Sequence, residues 1–316
     1  MDHGRNEAQP PRRLLAFDTS TSSLAVAVMD GGKLLAERNI HAERNHSAYL
    51  VSAIGDALAA AGVARTELDG IAVGVGPGSY TGARIAVTTA KTLAWGLRLP
   101  VYGVSSLEAL ALGGWAHGAR QDAAALGAAL EGANGGEMGV GAGAGEVGST
   151  GDDAETGGPG SVASGTGRTG EAPVPGTSAA GDHWIVPLVD ARRGQVYTAL
   201  FAAQAGRLPE RLEPDAIRLM AGWTEQLAGL LRTLRPEDRP TGVWFVGETA
   251  QHEPAVEALR PLLGEALHLI PYELEGIWIG LAGARRARRG GGDDAHALEP
   301  NYTQLAEAEA KRLRGR

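Results

Sequence analysis

The stretch Leu14-Leu15-Ala16-Phe17-Asp18-Thr19-Ser20-Thr21-Ser22-Ser23-Leu24-Ala25-Val26-Ala27-Val28-Met29-Asp30-Gly31-Gly32-Lys33-Leu34-Leu35-Ala36-Glu37-Arg38 contains three apolar runs. Leu14 to Phe17, Leu24 to Met29 and Lys33 to Arg38 predict three successive strands, the last two joined by the turn residues Asp30-Gly31-Gly32. Downstream, Leu50, Val51, Ile54 and Leu58 recur at helical spacing between Ser47 and Ala61, with Asn45 or Ser47 to cap the start and Gly62 to end it. Ile71 to Val75 then reads as a short buried strand, Gly76 to Gly82 as a glycine-rich loop, and Ala83 to Leu97 as a helix stopped before Pro100. Val101 to Val104 adds a strand, and Ser105 or Ser106 caps a helix through Leu112. The resulting order is βββ-α-β-α-β-α.

That order resembles the repeating lobe of the actin, Hsp70 and sugar-kinase (ASKHA) superfamily, an α/β fold of two related lobes, each with a mixed sheet and helices. The second half repeats it in degenerate form. Trp184 to Asp190 and Gln195 to Gln204 predict a hairpin around Arg192-Arg193-Gly194. A helix near Trp223 to Leu234, a strand at Val243 to Gly247, a helix near Pro254 to Leu263 and a strand at Leu267 to Ile270 follow. Gly276 to Arg289 and Ala306 to Leu313 are expected to be helical. Between Glu131 and Gly181 roughly a third of the residues are glycine and no apolar face recurs, which predicts disorder. The expected division is therefore a disordered N-terminus over 1–13, a first lobe over 14–112, a glycine-rich insertion over 113–182 and a second lobe over 183–316.

Composition narrows the chemistry. With 43% hydrophobic and 21% charged residues the chain can bury a sizeable core. The polar run Met1 to Arg13 does not have the form of a signal peptide, and no apolar stretch reaches the roughly 18 residues of a spanning helix, so a cytoplasmic protein without membrane contact is expected. Zero cysteines exclude disulfides, thiolate metal sites and cysteine nucleophiles. A net charge of −8 opposes direct binding of nucleic acid, so an RNA substrate would be held mainly through a partner.

The run Gly76-Pro77-Gly78-Ser79-Tyr80-Thr81-Gly82-Ala83-Arg84 lies between a predicted strand and a predicted helix. Its glycines suit either a tight turn or an anion held on backbone N–H groups, and Arg84 in the first helical turn points to an anionic neighbour or is an ordinary surface cation. It fits neither common nucleotide fingerprint. This run resembles the signature loop of the TsaB (YeaZ) family. Asp18-Thr19-Ser20-Thr21-Ser22, Asn45-His46-Ser47, Val104-Ser105-Ser106-Leu107-Glu108-Ala109-Leu110 and Asp190-Ala191-Arg192-Arg193-Gly194-Gln195-Val196-Tyr197 match further family motifs in order, and Pro300-Asn301-Tyr302 is a loose echo of a C-terminal one. The resemblance implies a non-catalytic scaffold that activates a TsaD-type catalytic subunit as a heterodimer. That partner transfers a threonylcarbamoyl group to the N6 of the adenosine beside the anticodon in tRNA. A TsaE-type ATPase is a further implied partner, a homodimer is the implied state of the chain alone, and ATP or ADP would sit at a subunit junction, with no tightly bound cofactor.

Candidate site residues follow. Asp18, Thr19, Gly76, Gly78, Ser79, Thr81, Gly82 and Arg84 form the signature loops and the candidate anion or nucleotide junction. Asp18 ends the first strand where superfamily kinases keep an acid, but Thr19, Ser20 and Thr21 follow instead of glycine, which favours a structural role. Ala83, Ala86, Ala90 and Ala94 on one helix, with Leu50, Ala53 and Ala57 on the other, offer closely packing stripes that suit a subunit interface or the lobe's own core. Placed at an interface, Ala86→Arg or Ala90→Arg would block docking and leave the chain folded. His41 and His46 are five apart, about 140° around a helix, so no metal or catalytic site is expected there. Arg285, Arg286, Arg288 and Arg289 read as a solvated helix end or a tRNA contact. The rival functions are a stand-alone small-molecule kinase and a metallopeptidase-like protein.

Overall fold

The computed structural model describes residues 10–41, 46–132 and 183–303. Its first half runs β1 (Arg13–Asp18), β2 (Ser23–Asp30), β3 (Lys33–His41), α1 (His46–Ala61), β4 (Gly70–Gly74), α2 (Tyr80–Leu97), β5 (Val101–Val104), α3 (Ser106–Gly118) and α4 (Ala123–Gly132). The second half runs β6 (His183–Asp190), β7 (Gln195–Ala203), β8 (Glu210–Leu219), α5 (Met220–Thr233), β9 (Gly242–Gly247), α6 (Glu253–Glu257), α7 (Arg260–Leu263), β10 (Leu267–Pro271) and α8 (Gly276–Arg288). The two five-stranded sheets have the orders β3-β2-β1-β4-β5 and β8-β7-β6-β9-β10. In each, a central strand pairs antiparallel with the second strand of the meander and parallel with the strand after the first helix. The same α/β lobe is built twice, the two-lobed arrangement of mixed sheets and helices expected for an ASKHA-like fold.

Both faces of the first sheet are covered at β1, β2, β4 and β5, which is why these strands, unlike the more exposed β3, read as continuous apolar runs. Leu15 and Phe17 of β1 point to the layer of α1 and α2, together with Leu50, Ala53, Ala57, Ala86, Ala90 and Ala94. Leu14 and Ala16 point the other way, into a core shared with α3, α8 and the inner face of the second sheet. Trp223, Leu227 and Leu231 of α5 cover the outer face of the second sheet.

The helices between the sheets are exchanged. α3, which leaves the first sheet, packs on β6, β7, β9 and β10, while α8, which leaves the second sheet, packs on β1, β2, β4 and β5. Glycines at 276, 280 and 283 permit that approach, because a Cβ there would lie 2.5 Å from Val26 C, 2.6 Å from Met29 Cγ and 2.3 Å from Ala72 Cβ. The tail continues on the first lobe: Asp293 bridges to Val101, and Asn301 N–H donates to Val75 O. The expected boundary at 112 therefore separates neither packing unit from the other, and residues 276–303 lie with the first lobe.

Three further expectations change. Gly113 to Gly132, assigned to the insertion, forms the end of α3 and all of α4; Gly113 and Gly114 are glycine because Trp278 and Val246 press against them. The helix expected from Pro254 to Leu263 is two short helices, α6 and α7, each with a proline in its first turn. β8 was missed because Glu210-Arg211-Leu212-Glu213-Pro214-Asp215 is polar and contains proline, both of which an edge strand tolerates. Residues 1–9, 133–182 and 304–316, with the disorder and the terminal helix expected there, lie outside the described residues.

Candidate docking face and interlobe cleft

Asp18 ends β1 fully buried, and its carboxylate is engaged from within the lobe. Oδ1 accepts from Ser20 N–H and Oδ2 from the Ser106 hydroxyl, which also accepts from Gly76 N–H at 3.0 Å. Thr19 Oγ1 donates to Gly82 O at 2.7 Å, and Ser79 N–H donates to Ser20 O at 2.6 Å. The two signature loops are thus laced together by one side-chain and one backbone donor, each on a backbone carbonyl. A Cβ at Gly78 would lie 2.2 Å from Ser20 O, and one at Gly82 would lie 1.9 Å from Thr19 O. Close approach explains these glycines. At the start of α2 the Gly82 N–H is taken by Ser79 Oγ and the Ala83 N–H by Ser79 O, so the loop uses its donors on itself.

Beside these loops an open cleft of about 680 Å³ separates the lobes, lined by Ser20, Thr21 and Thr81 on one side and Asp190, Arg192 and Glu248 on the other. Arg192 and Arg193 both adopt left-handed backbone, φ 65° and 55°, in the β6–β7 turn. Burial raises the Glu248 carboxyl above the usual carboxylate range; the Asp190 N–H bond works against that rise, while the charges of Asp190 and Glu273 add to it. Two carboxylates facing one arginine make a poor cradle for a polyphosphate.

The seven positions expected at a subunit interface lie underneath. Ala83, Ala86, Ala90, Ala94, Leu50, Ala53 and Ala57 are all at most 4% exposed, turned toward the lobe's own sheet, and a partner cannot reach them in the folded chain. Their small size serves close helix-on-sheet packing. The outer face is made by other residues, which the inward stripe concealed.

That outer face has the character of an interface. Across α1 and α2, Asp56, Arg84 and Lys91 are the only Asp, Glu, Lys or Arg residues, and Lys91 is turned to the carbonyls of His296 and Leu298 at 3.0 Å each. Val51 is 71% exposed, Tyr80 45% and Trp95 72%. Tyr80, Arg84, Thr88 and Trp95 fall on one stripe of α2, and a groove of about 560 Å³ between the helices is lined by Val51, Tyr80, Arg84, Ile85 and Thr88. Exposed apolar side chains with few charges characterise the centre of a protein–protein contact. Arg84 donates from Nη1 to Tyr80 Oη at 2.7 Å and lies 5.1 Å over its ring, while the Tyr302 ring lies 5.2 Å from the same ring, tilted by 33°.

Other candidates resolve differently. His41 Nδ1 pairs with Glu273 Oε1 at 2.9 Å, and among the described residues no group of three or more His, Asp or Glu side chains is placed to hold a metal ion. Arg285 bonds Glu108 and Pro209 O, Arg286 bonds Asp293 and Gly103 O, and Arg288 approaches Glu131. These three arginines tie α8 to its neighbours and form neither a free helix end nor an open basic patch. No helix among the described residues is long and apolar enough to cross a membrane.

A doubled lobe with exchanged helices, self-laced loops and a charge-poor outer helical face defines a two-lobed α/β protein with an ASKHA-like fold. The chain belongs to the TsaB family. It is 32% identical over 302 residues to the tRNA threonylcarbamoyladenosine biosynthesis protein TsaB of Bacillus subtilis, covering 94% of this chain and 96% of that one. The TsaB of Escherichia coli is 39% identical over 106 residues, 33% of this chain and 44% of that protein. The solved structure of YeaZ from Pseudomonas aeruginosa superposes with a TM-score of 0.57 over 92% of this chain and 99% of that one at 21% identity, which supports the fold. The family model for TsaD, tRNA N6-adenosine threonylcarbamoyltransferase, matches residues 39–155.

Proposed function

We propose that this chain is the non-catalytic, activating scaffold of tRNA threonylcarbamoyladenosine synthesis and that it docks on a TsaD-type transferase through the outer face of α1 and α2. The observation that carries the reading is the coincidence of two features. The face that exposes Val51, Tyr80 and Trp95 lies within the segment that matches the transferase family. A related chain presents related helices, so like packs on like about a pseudo-twofold axis, as in an isologous dimer. The same logic allows a homodimer of this chain when the partner is missing.

In this reading the chain supplies a rigid surface. Its lobes are stitched by α3 and α8, and a pre-organised surface reduces the ordering cost of the complex. The chemistry belongs to the partner, which transfers a threonylcarbamoyl group to N6 of the adenosine beside the anticodon, and most of the tRNA contact is the partner's, because this chain carries a charge of −8. A TsaE-type ATPase joins the same assembly. ATP or ADP at the subunit junction would be held mainly from the partner's side, because Asp190 and Glu248 beside Arg192 disfavour a polyphosphate in this chain's own cleft. A kinase reading finds no support in Asp18, whose two carboxylate oxygens are both engaged internally.

Reconstitution tests the proposal. Purified TsaD-type subunit, the ATPase, the supply of threonylcarbamoyl adenylate and unmodified tRNA should give little modified nucleoside without this chain and full modification with it. Equal modification in both reactions, or transfer by this chain alone, would overturn it.

A further inference from the structure

Asp215 belongs to β8, the edge strand of the second lobe, yet its carboxylate reaches the first. Thr198 pairs with Ala216 and Leu200 with Glu213, which leaves Pro214 and Asp215 opposite the single residue Ala199. Such a bulge, with proline on an edge strand, re-aims a side chain out of the regular alternation. The redirected carboxylate accepts from Ser105 Oγ at 2.7 Å and from Asn301 Nδ2 at 3.0 Å, both on Oδ2, while Oδ1 pairs with Arg211. Its side chain is only 10% exposed.

Asn301 is held from both lobes, since its own N–H donates to Val75 O at 2.7 Å. The next residue is Tyr302, 42% exposed, whose ring lies 5.2 Å from that of Tyr80, the ring that carries Arg84. We propose that Asp215 is a positioning residue of the docking face: through Asn301 it fixes Tyr302 against Tyr80 and Arg84, so that the second lobe builds one edge of a surface the first lobe presents. The proposal rests on the docking of a TsaD-type subunit on α1 and α2 and assigns a function to Pro300-Asn301-Tyr302. An exposed aromatic ring held by a tilted ring contact and a tethered backbone loses little freedom on binding, and that is the contribution Asp215 makes.

Side-chain chemistry separates positioning from charge. Asn at 215 keeps one carbonyl oxygen to accept from Ser105 and Asn301 and lacks only the pairing with Arg211, whereas Ala lacks both. In the full chain without partner, Asp215→Ala should raise amide exchange at Asn301 to Thr303 by about tenfold, and Asp215→Asn should leave it near wild type. Calorimetry with the TsaD-type subunit should show binding weakened about tenfold by Asp215→Ala and by Tyr302→Ala, with the double variant no weaker than either single one. Asn301→Ala, which leaves Asp215 in place, should match Asp215→Ala and stands in for it if that variant melts early. Wild-type tail exchange in Asp215→Ala, losses that multiply in the double variant, or failure of Asp215→Asn to rescue would overturn the positioning role. Absence of binding by the wild-type chain would instead overturn the docking itself.

Discussion

The two lobes share a strand order and differ in what covers it. Over the first sheet lie α1 and α2, 16 and 18 residues long. Over the second lie α5 and the fragments α6 and α7, of 5 and 4 residues, each with a proline in its first turn. The long pair exposes Val51, Tyr80 and Trp95, whereas α5 turns Trp223, Leu227 and Leu231 inward and shows Glu225 and Gln226 outside. One scaffold thus serves two ends: the first lobe keeps continuous helices with a face to offer, and the second keeps what its own sheet needs. The surface that its own packing does not explain lies on the first lobe, where docking is proposed.

The largest effect expected is inside the first lobe. Ala90→Arg places an unpaired cation at a position with 0% exposure, which costs several kcal/mol and should melt the lobe before it affects docking. Circular dichroism and a denaturant titration read this directly, and a folded Ala90→Arg chain would break the assignment of faces. Next come outward substitutions. Thr88→Arg or Val51→Glu should keep the melting temperature and weaken binding to the TsaD-type subunit by about 100-fold, near 2.7 kcal/mol, while Gln226→Arg on α5 should change neither.

A smaller contrast concerns glycines. Gly82→Ala should cost about 1–3 kcal/mol, because its Cβ would lie 1.9 Å from Thr19 O, while Gly194→Ala, with φ 72° and open space around it, should cost on the order of 1 kcal/mol from backbone strain alone. Equal losses in thermal or chemical denaturation would remove the close-approach argument for the signature loop.

The smallest effect is electrostatic. Burial raises both Glu37, whose carboxylate accepts from Ile277 N–H at 2.8 Å at the start of α8, and Glu248 beside the cleft. A native pKa above the unfolded one means that the folded chain binds the proton more tightly. Each group therefore favours folding below its unfolded pKa and loses that contribution as pH rises through its native pKa. Glu248→Gln keeps an acceptor for Asp190 N–H and should raise the melting temperature above neutral pH while flattening its pH dependence. Glu37→Gln should do less, because the Ile277 N–H and neighbouring donors already favour its charged form. A fall in the melting temperature of Glu248→Gln above neutral pH would contradict the assignment.

The inner strands were legible in the sequence because they are buried on both faces and carry unbroken apolar runs, as in Leu24 to Met29, and the more exposed β3 was legible through the turn Asp30-Gly31-Gly32 before it. β8 was not, because an edge strand with Pro214 at a bulge has no such pattern. The exchange of α3 and α8 escaped reading for a different reason: a helix that is apolar on several sides shows that it is buried but not against which sheet. Small residues on α1 and α2 announced close packing without direction, since the inward stripe at Ala86 and Ala90 and an outward face with few charges produce similar sequences. Asp18 was legible in part; its engagement by Ser106, 88 residues away, had no sequence signal.

Amide exchange of the full chain, alone and saturated with the TsaD-type subunit, tests the docking face most directly. Complex formation should slow exchange in α1 and α2 and at Asn301 to Thr303, and leave α5 as it was. Protection of α5 with α1 and α2 unchanged would place the partner on the other lobe and contradict the account.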